Sequence, residues 1–151
     1  PPFTVAHTAL NPNAIKNPVA AKLGETSIIT FLCYDLSLVD NSLEITLYWK
    51  SERAIPKDYS VFVHLLDASG APFAQHDSAP QNGNAPTSWW LPGDLITDRH
   101  ELNIPKIFAG RYTLALGVYD SMSGTRLPLF GANGARQSND AWQLPIEMEG
   151  R

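Results

Sequence analysis

The chain has 151 residues, of which 44% are hydrophobic and 17% charged, and its formal net charge is -4. This composition is too apolar for a disordered chain, and no apolar run approaches the ~20 residues that cross a bilayer, so we expect one globular domain. The 11 basic residues are scattered singly among 15 acidic ones, which excludes the basic patch that nucleic-acid binding requires.

The N-terminal segment predicts an extended arm. It is rich in Pro, Asn and Ala, and its apolar residues Phe3 and Val5 offer only weak pairing at a sheet edge. We therefore divide the chain into an arm at residues 1–24, packed on the domain, and a single β-sandwich domain at residues 25–151. A start at Pro1, without Met or a leader segment, leads us to expect a domain cut from a longer polypeptide or a mature product.

Short apolar runs between turn residues predict strands along the rest of the chain. The 12 prolines and 10 glycines leave little room for helices of ten or more residues. Runs that recur at this short, regular spacing are typical of an all-β sandwich or barrel. The predicted strands cover residues 27–34, 43–49, 59–66, 72–77, 94–104, 111–120, 125–130 and 141–147.

Two aromatic residues indicate which kind of all-β fold this is. Period-two alternation puts Trp49 on the apolar side of its strand and Tyr48 on the polar side, so Trp49 is expected inside. The sequence Gly-Arg-Tyr, which ends at Tyr112, is typical of a sandwich corner where the Tyr hydroxyl bonds back to the preceding backbone. Together they predict an antiparallel β-sandwich of the immunoglobulin or fibronectin type, with a jelly roll as the alternative.

Turn chemistry predicts two hairpins. The segments 67–70 and 120–124 each begin with Asp and end with Gly between two predicted strands, as hairpin loops prefer. We expect the hairpins at residues 59–77 and 111–130, each with a central first strand and a more polar return strand.

The histidines predict no metal site and no cofactor. Their positions, His7, His64, His76 and His100, lack the close spacings of zinc ligands. On a core strand, His64 is expected to be a locally hydrogen-bonded imidazole, and His76 with Asp77 an exposed pair on a return strand.

Catalytic motifs do not emerge from the sequence either, so we expect a protein that is not an enzyme. It contains no G-x-S-x-G, no Gly-rich phosphate loop and no Cys/His signature, and Cys33 is its single cysteine. The acids Asp94, Asp98 and Glu101 cluster in sequence, but acids at a sheet edge are usually solvated charges or at best calcium ligands.

The stretch TSWWLPGD places Trp89 beside Trp90 after an irregular run. Because neighbouring side chains on an extended chain point to opposite faces, we expect one ring in the core and the other packed under a loop. The alternative is a stacking platform for a sugar ring or a partner protein, with nearby polar side chains supplying directional hydrogen bonds. The candidate ligand-binding residues are Trp89, Trp90, Asp94, Gln81, Asn82 and Asn84.

Four segments of the chain together resemble a β-rich module of bacterial membrane proteins. They read LGETSIITFLCYDLS, LEITLYWKSERAIPKDYSVFVHLLDASG, APTSWWLPGDLITDRHEL and IFAGRYTLALGVYDSMSGTRLP. This module often follows the multi-span part of glycosyltransferase-like proteins of the dolichyl-phosphate-mannose-dependent type, and the resemblance runs from Gly24 to Pro128. The chain departs from it at Cys33, where Gly is common, and at Trp89, an extra ring beside the expected Trp90.

The resemblance implies an extracytoplasmic accessory domain, in the periplasm or on the cell surface, with no catalytic residues to carry over. Its partners would be the parent membrane protein and a weakly bound glycan. Two other functions are weighed against this one: a purely structural module that packs on its parent, and a glycoside-active enzyme, which would need two acids about 5 to 10 Å apart in a cleft.

Overall fold

The computed structural model describes residues 17–150, which form nine strands and three short 3-10 turns. Within that range no helix has the length and apolarity needed to cross a bilayer. The 3-10 turns cover Pro80–Gly83, Thr87–Trp89 and Ser138–Asp140. The strands are β1 (Asn17–Leu23), β2 (Ile29–Val39), β3 (Ser42–Ser51), β4 (Tyr59–Leu66), β5 (Pro72–Ser78), β6 (Leu95–Asn103), β7 (Gly110–Asp120), β8 (Leu129–Phe130) and β9 (Trp142–Met148).

The strands form two antiparallel sheets that pack face to face, so the predicted all-β sandwich is confirmed. One sheet has the order β6-β3-β2-β1-β8 and the other the order β5-β4-β7-β9. Strands β1, β2 and β3 follow one another as neighbours, whereas the chain changes sheet after β3, β5, β6, β7 and β8. These crossings bring β5 and β6 to adjoining edges of the two sheets.

The core lies between the sheets and is built from the alternating apolar rows of their inner faces. Strand β3 alternates buried and half-buried residues along its whole length, which confirms that Trp49 points inward and Tyr48 outward. The Trp49 ring is fully buried and lies 5.1 Å from the Phe31 ring, centroid to centroid. Burial of a ring of this size is worth about 4 to 6 kcal/mol by area, as an upper value.

Tyr112 forms the predicted sandwich corner. Its ring is buried at the start of β7, and its hydroxyl donates a hydrogen bond of 2.8 Å to the carbonyl oxygen of Phe108. The bond closes the passage from β6 to β7, where the chain moves from one sheet to the other. It satisfies a loop carbonyl and fixes the direction in which β7 begins.

The structure of residues 17–23 differs from the extended arm predicted for residues 1–24. They form β1, which pairs with β2 and β8 inside the five-stranded sheet. The pattern is obscured because Pro18 lacks an N–H and the pairing to β2 shifts between Pro18 and Ala21, where Ala20 has a φ of 60°. The rest of the arm, with Phe3 and Val5, lies outside the described residues.

Of the two predicted hairpins, the one at 59–77 is confirmed by the pairing of β4 with β5. The prediction of a hairpin at 111–130 is wrong beyond the turn. The return segment pairs with β7 at the Tyr119–Arg126 bridge and then turns away from that sheet. Residues 129–130 instead form β8, which pairs with β1 in the other sheet. Pro128 has no N–H to donate to a continuing ladder, and its carbonyl accepts from the Gly24 N–H at 2.8 Å.

Replacement of Tyr112 by Phe should lower the free energy of unfolding by about 1 kcal/mol, because the Phe108 carbonyl loses its donor while the ring stays in place. Urea denaturation at pH 7 measures this. Tyr48→Phe is the matched control, since it removes a hydroxyl that bonds Asp35 on the half-buried outer face. An equal loss in both variants would contradict a special role for the corner.

Candidate functional site

Polar side chains lie where a continuous apolar row is expected, on the inner face of β6. The strand alternates strictly, so Ile96, Asp98, His100 and Leu102 all point toward the core and are 2% exposed or less. Two ionisable groups on a core row are unusual, because burial of a charge without partners costs several kcal/mol. Their partners therefore define the site.

Asp98 is the centre of this cluster. Its Oδ2 accepts hydrogen bonds from Trp49 Nε1 at 3.2 Å and from His100 Nε2 at 2.7 Å. Its Oδ1 accepts from the backbone N–H of Gln81 at 2.8 Å. The carboxylate thus receives three donors from three different segments of the chain, which is how a buried acid avoids the full cost of desolvation. The expectation that Asp98 is a solvated edge acid is wrong.

The cluster continues from β6 to β5 through two imidazoles. His76 Nδ1 and His100 Nδ1 are 2.8 Å apart, and the rings meet edge to face with centroids 5.0 Å apart. His76 therefore points inward, and the expected exposed pair of His76 with Asp77 is wrong. Asp77 lies on the opposite face of β5, where it pairs with His64 at 3.1 Å, so the local hydrogen bond expected of His64 is confirmed.

The surroundings of His76 disfavour its protonated form. Burial lowers the pKa of His76 below its ordinary value, and the facing His100 ring lowers this pKa further. The carboxylates of Asp98, Asp77 and Glu101 act in the opposite direction but do not overcome the burial. His76 is thus held neutral at pH 7.

An open cleft lies beside this histidine pair, between the edges of the two sheets. It has a volume of about 330 Å³, near the lower end of the roughly 300 to 1,000 Å³ typical of ligand pockets. We call it the β5–β6 cleft; its lining residues are His76, Asn82, Arg99, Glu101 and Asn103.

Charged residues on one wall of the cleft are held in place by neighbours on β3. Arg99 pairs with Glu44 and lies 4.0 Å from Glu101. Glu101 Oε1 also accepts a hydrogen bond of 2.8 Å from Ser42 Oγ. Within residues 17–150, by contrast, the side chains of Asn82 and Asn103 make no hydrogen bond, so their amides retain full capacity for a ligand.

A strained turn supplies the other wall. In the 3-10 turn Pro80–Gly83, both Gln81 and Asn82 adopt left-handed conformations, with φ of 55° and 53°. Such a pair of non-glycine residues costs of order 1 kcal/mol or more each. The bend directs the Gln81 N–H to Asp98, and the Gln81 side chain donates to the Thr97 carbonyl at 2.7 Å. Asn82 is consequently presented at the cleft.

The other residues of the predicted site brace the corner at TSWWLPGD. Trp90 is 3% exposed and donates from Nε1 to the Ala85 carbonyl at 2.9 Å, whereas Trp89 is half-buried and packs against the core. Asp94 is buried, and its Oδ2 accepts from the Leu91 N–H at 2.7 Å. Asn84 is exposed, and its backbone N–H bonds Gln81. One of the six predicted residues, Asn82, lines the cleft.

Metal binding finds no support in the described part of the chain. No group of three or more His, Cys, Asp or Glu side chains within it is placed to hold a metal ion. The His100 ring bonds the Asp98 carboxylate through Nε2 and the His76 ring through Nδ1.

Comparison with known proteins shows the fold. Neither a protein-family model nor a curated protein matches the chain. The C-terminal domain of Wzt is similar, with a TM-score of 0.55 and 10% identity over 90% of this chain and 84% of that one. A β-glucuronidase from glycoside hydrolase family 2 aligns with a TM-score of 0.47 and 13% identity, over 75% of this chain and 11% of that chain.

Replacement of Asp98 by Asn should lower the free energy of unfolding by about 3 kcal/mol. Both carboxylate oxygens accept from N–H donors, so the amide NH₂ of Asn would face one of these donors inside the core. Chemical denaturation monitored by Trp fluorescence measures this. Glu101→Gln, on the outer face of the same strand, should leave stability nearly unchanged. A small effect of Asp98→Asn would contradict the central role of this carboxylate.

Acid should destabilise the protein through His76. In the unfolded chain His76 takes up a proton near the ordinary imidazole pKa of about 6.5. In the folded chain its pKa is lower, so protonation favours the unfolded state. The contribution of neutral His76 to the free energy of unfolding is therefore complete above about pH 6.5 and is lost as the pH falls toward the folded pKa. His76→Gln should therefore lose stability less steeply than the native chain between pH 6.5 and 5. Unfolding at pH 8, where His76 is neutral in both the folded and the unfolded chain, is the reference.

Proposed function

We propose that this domain is a noncatalytic accessory module that binds a glycan weakly in the β5–β6 cleft. The observation that carries the proposal is an open cleft of about 330 Å³ with five hydrogen-bonding side chains, placed over a buried cluster of Asp98, His100 and Trp49. Buried ionisable groups beside a concave surface are typical of functional sites rather than of plain cores.

The lining groups suit a ligand that carries hydroxyls. The amides of Asn82 and Asn103 each offer donors and an acceptor, Arg99 offers donors, and Glu101 offers acceptors. A sugar hydroxyl is both donor and acceptor, so such a mixed set can satisfy several hydroxyls on one ring. The cleft is open to solvent, and its hydrogen bonds replace bonds to water, so the affinity should be low.

The arrangement of acids supports a noncatalytic role. Glycoside hydrolysis uses two carboxyl groups on opposite sides of the scissile bond. Among the described residues that line the cleft, Glu101 supplies the carboxylate, and it is already bound by Ser42. Asp98 lies beneath, fully buried and engaged with three donors.

The proposed location and partners of the domain rest on the resemblance described above. Glycosyltransferase-like membrane proteins of the dolichyl-phosphate-mannose-dependent type carry such a module outside the cytoplasm, so we place this domain in the periplasm or on the cell surface, attached to a membrane protein of that kind. A glycan acceptor or product of the parent would then be the natural occupant of the cleft. The likeness to Wzt supports the β-sandwich on which the site is built.

A second function is favoured by the corner at TSWWLPGD. Leu91 is 57% exposed and follows the half-buried Trp89 in the sequence. An apolar side chain in that position suits packing against the parent protein, as a structural module would require. Trp89→Ala should then weaken attachment to the parent without any effect on sugar binding.

The two surfaces can be separated by titration of the ¹⁵N-labelled domain with methyl glycosides of glucose, galactose, mannose and N-acetylglucosamine. We expect amide shifts in β6 and the turn at 80–83 at millimolar concentrations. Asn103→Ala and Asn82→Ala should weaken binding about fivefold each, through the loss of roughly one hydrogen bond. Asn84→Ala, an exposed Asn outside the cleft, is the control. Shifts confined to Trp89 and Leu91, or none at about 50 mM, would contradict the proposal.

A further inference from the structure

The buried cluster dictates which nitrogen of each imidazole carries a proton. Trp49 Nε1 and the Gln81 backbone N–H are obligate donors, and both bond to Asp98, which therefore acts as an acceptor on both oxygens. An ionised carboxylate has no proton to donate, so His100 Nε2, 2.7 Å from Oδ2, carries the proton of this bond. This leaves Nδ1 as the variable position on the His100 ring.

The tautomer of His100 determines the tautomer of His76. In a neutral pair His100 Nδ1 is a lone pair, so the contact of 2.8 Å requires His76 to donate from its Nδ1. A neutral imidazole has one N–H, and the other nitrogen of His76, Nε2, is then a lone pair left to the cleft that this ring lines. The cleft thus contains a hydrogen-bond acceptor whose polarity is set by Asp98.

One added proton reverses that polarity. The pair then has three ring protons, and the Nδ1–Nδ1 contact holds one of them, so His76 Nε2 carries a proton whichever ring bears the charge. A second added proton would place two N–H groups against each other at 2.8 Å and is excluded by geometry. The pair therefore takes up a single proton and exchanges an acceptor for a donor at the cleft.

We propose that His76 is the specificity-determining residue of the β5–β6 cleft: as an acceptor near neutral pH it selects a ligand group that can only donate, such as the amide N–H of an N-acetylated sugar, and protonation of the His76–His100 pair reverses this selection. The inference deepens the proposed glycan binding and rests on it. An amide N–H that donates to His76 binds only the neutral pair, so acidification should release a ligand held in this way. A hydroxyl, which can also accept, should be retained.

The charged groups around the pair set where this reversal occurs. Asp98 and Glu101 on β6 and Asp77 on β5 favour uptake of the proton. Burial and the facing His100 ring oppose it. Arg99 is a fixed cation in the lining of the same cleft. The turn at 80–83 contributes the uncharged Asn82 to this surface. We therefore expect the reversal in mildly acidic solution, below the ordinary imidazole range of about 6.5.

The test is a pair of measurements on the intact chain. Long-range ¹H–¹⁵N correlation spectra of the imidazoles report the tautomer of each ring without any ligand. At pH 7.5 we expect His76 protonated on Nδ1 and His100 on Nε2; at pH 5.0 the His76 proton should be on Nε2. Observation of the Nε2–H tautomer of His76 at pH 7.5, or of no change in tautomer down to pH 4.5, would overturn the inference.

The second measurement repeats the methyl glycoside titration at both pH values. For the N-acetylglucosamine glycoside we expect affinity about tenfold weaker at pH 5.0 than at pH 7.5, since the hydrogen bond from its amide N–H is replaced by two opposed donors. The glycosides that carry only hydroxyls should show little pH dependence. In His76→Gln, whose amide offers donor and acceptor at any pH, the affinity for the N-acetylglucosamine glycoside should be independent of pH. Equal binding of that glycoside by the native chain at both pH values would overturn the inference. If no glycoside binds at either pH, the proposed function fails, and the imidazole spectra alone decide whether the reversal exists.

Discussion

The structure depends on a carboxylate that is fully buried. Asp98 is stable inside the sandwich because three donors converge on it, from β3, from β6 and from the turn after β5. Removal of any of them would leave a charge or a donor unpaired at low dielectric, which costs more than the bond itself contributes. The two sheets and the loop between them are therefore locked in one arrangement at this edge, while apolar packing, which is not directional, holds the rest of the core.

The strained turn at 80–83 follows from this constraint. Gln81 and Asn82 occupy left-handed conformations that Gly would adopt at lower cost, and Gly83 follows them with a φ of 90°. The bend is stabilised because it delivers the Gln81 N–H to Asp98, where a charge-assisted hydrogen bond is worth about twice a neutral one. The same bend exposes Asn82 at the cleft, so the support of the buried acid and the shape of the binding surface have one origin.

Local patterns in the sequence predict what depends on one strand and fail where separate strands meet. Alternation places Trp49 inside, and Gly-x-Tyr places Tyr112 at the corner, because each signal is contained in a few adjacent residues. On β6 the same period-two signal is present, since Asp98 and His100 share the face of Ile96 and Leu102, but their polarity leads to the wrong expectation of a solvated edge. Their partners are not readable: Trp49 is 49 residues from Asp98, and β1 is obscured by Pro18. Spacing in the chain carries no information about such contacts.

The polar groups at the tryptophan corner and those at the β5–β6 cleft differ in how much hydrogen-bonding capacity remains for a ligand. The Trp90 indole N–H bonds Ala85, and the Asp94 carboxylate closes its own turn at Leu91, so at this corner polar groups serve the fold. At the β5–β6 cleft, the side chains of Asn82 and Asn103 make no hydrogen bond within residues 17–150, and His76 is oriented by groups beneath it. Recognition requires polar groups that are both fixed and uncommitted, because committed groups offer nothing to a ligand and mobile ones lose entropy on binding. A doubled tryptophan in a sequence marks apolar area; a polar pair on a core row marks a site.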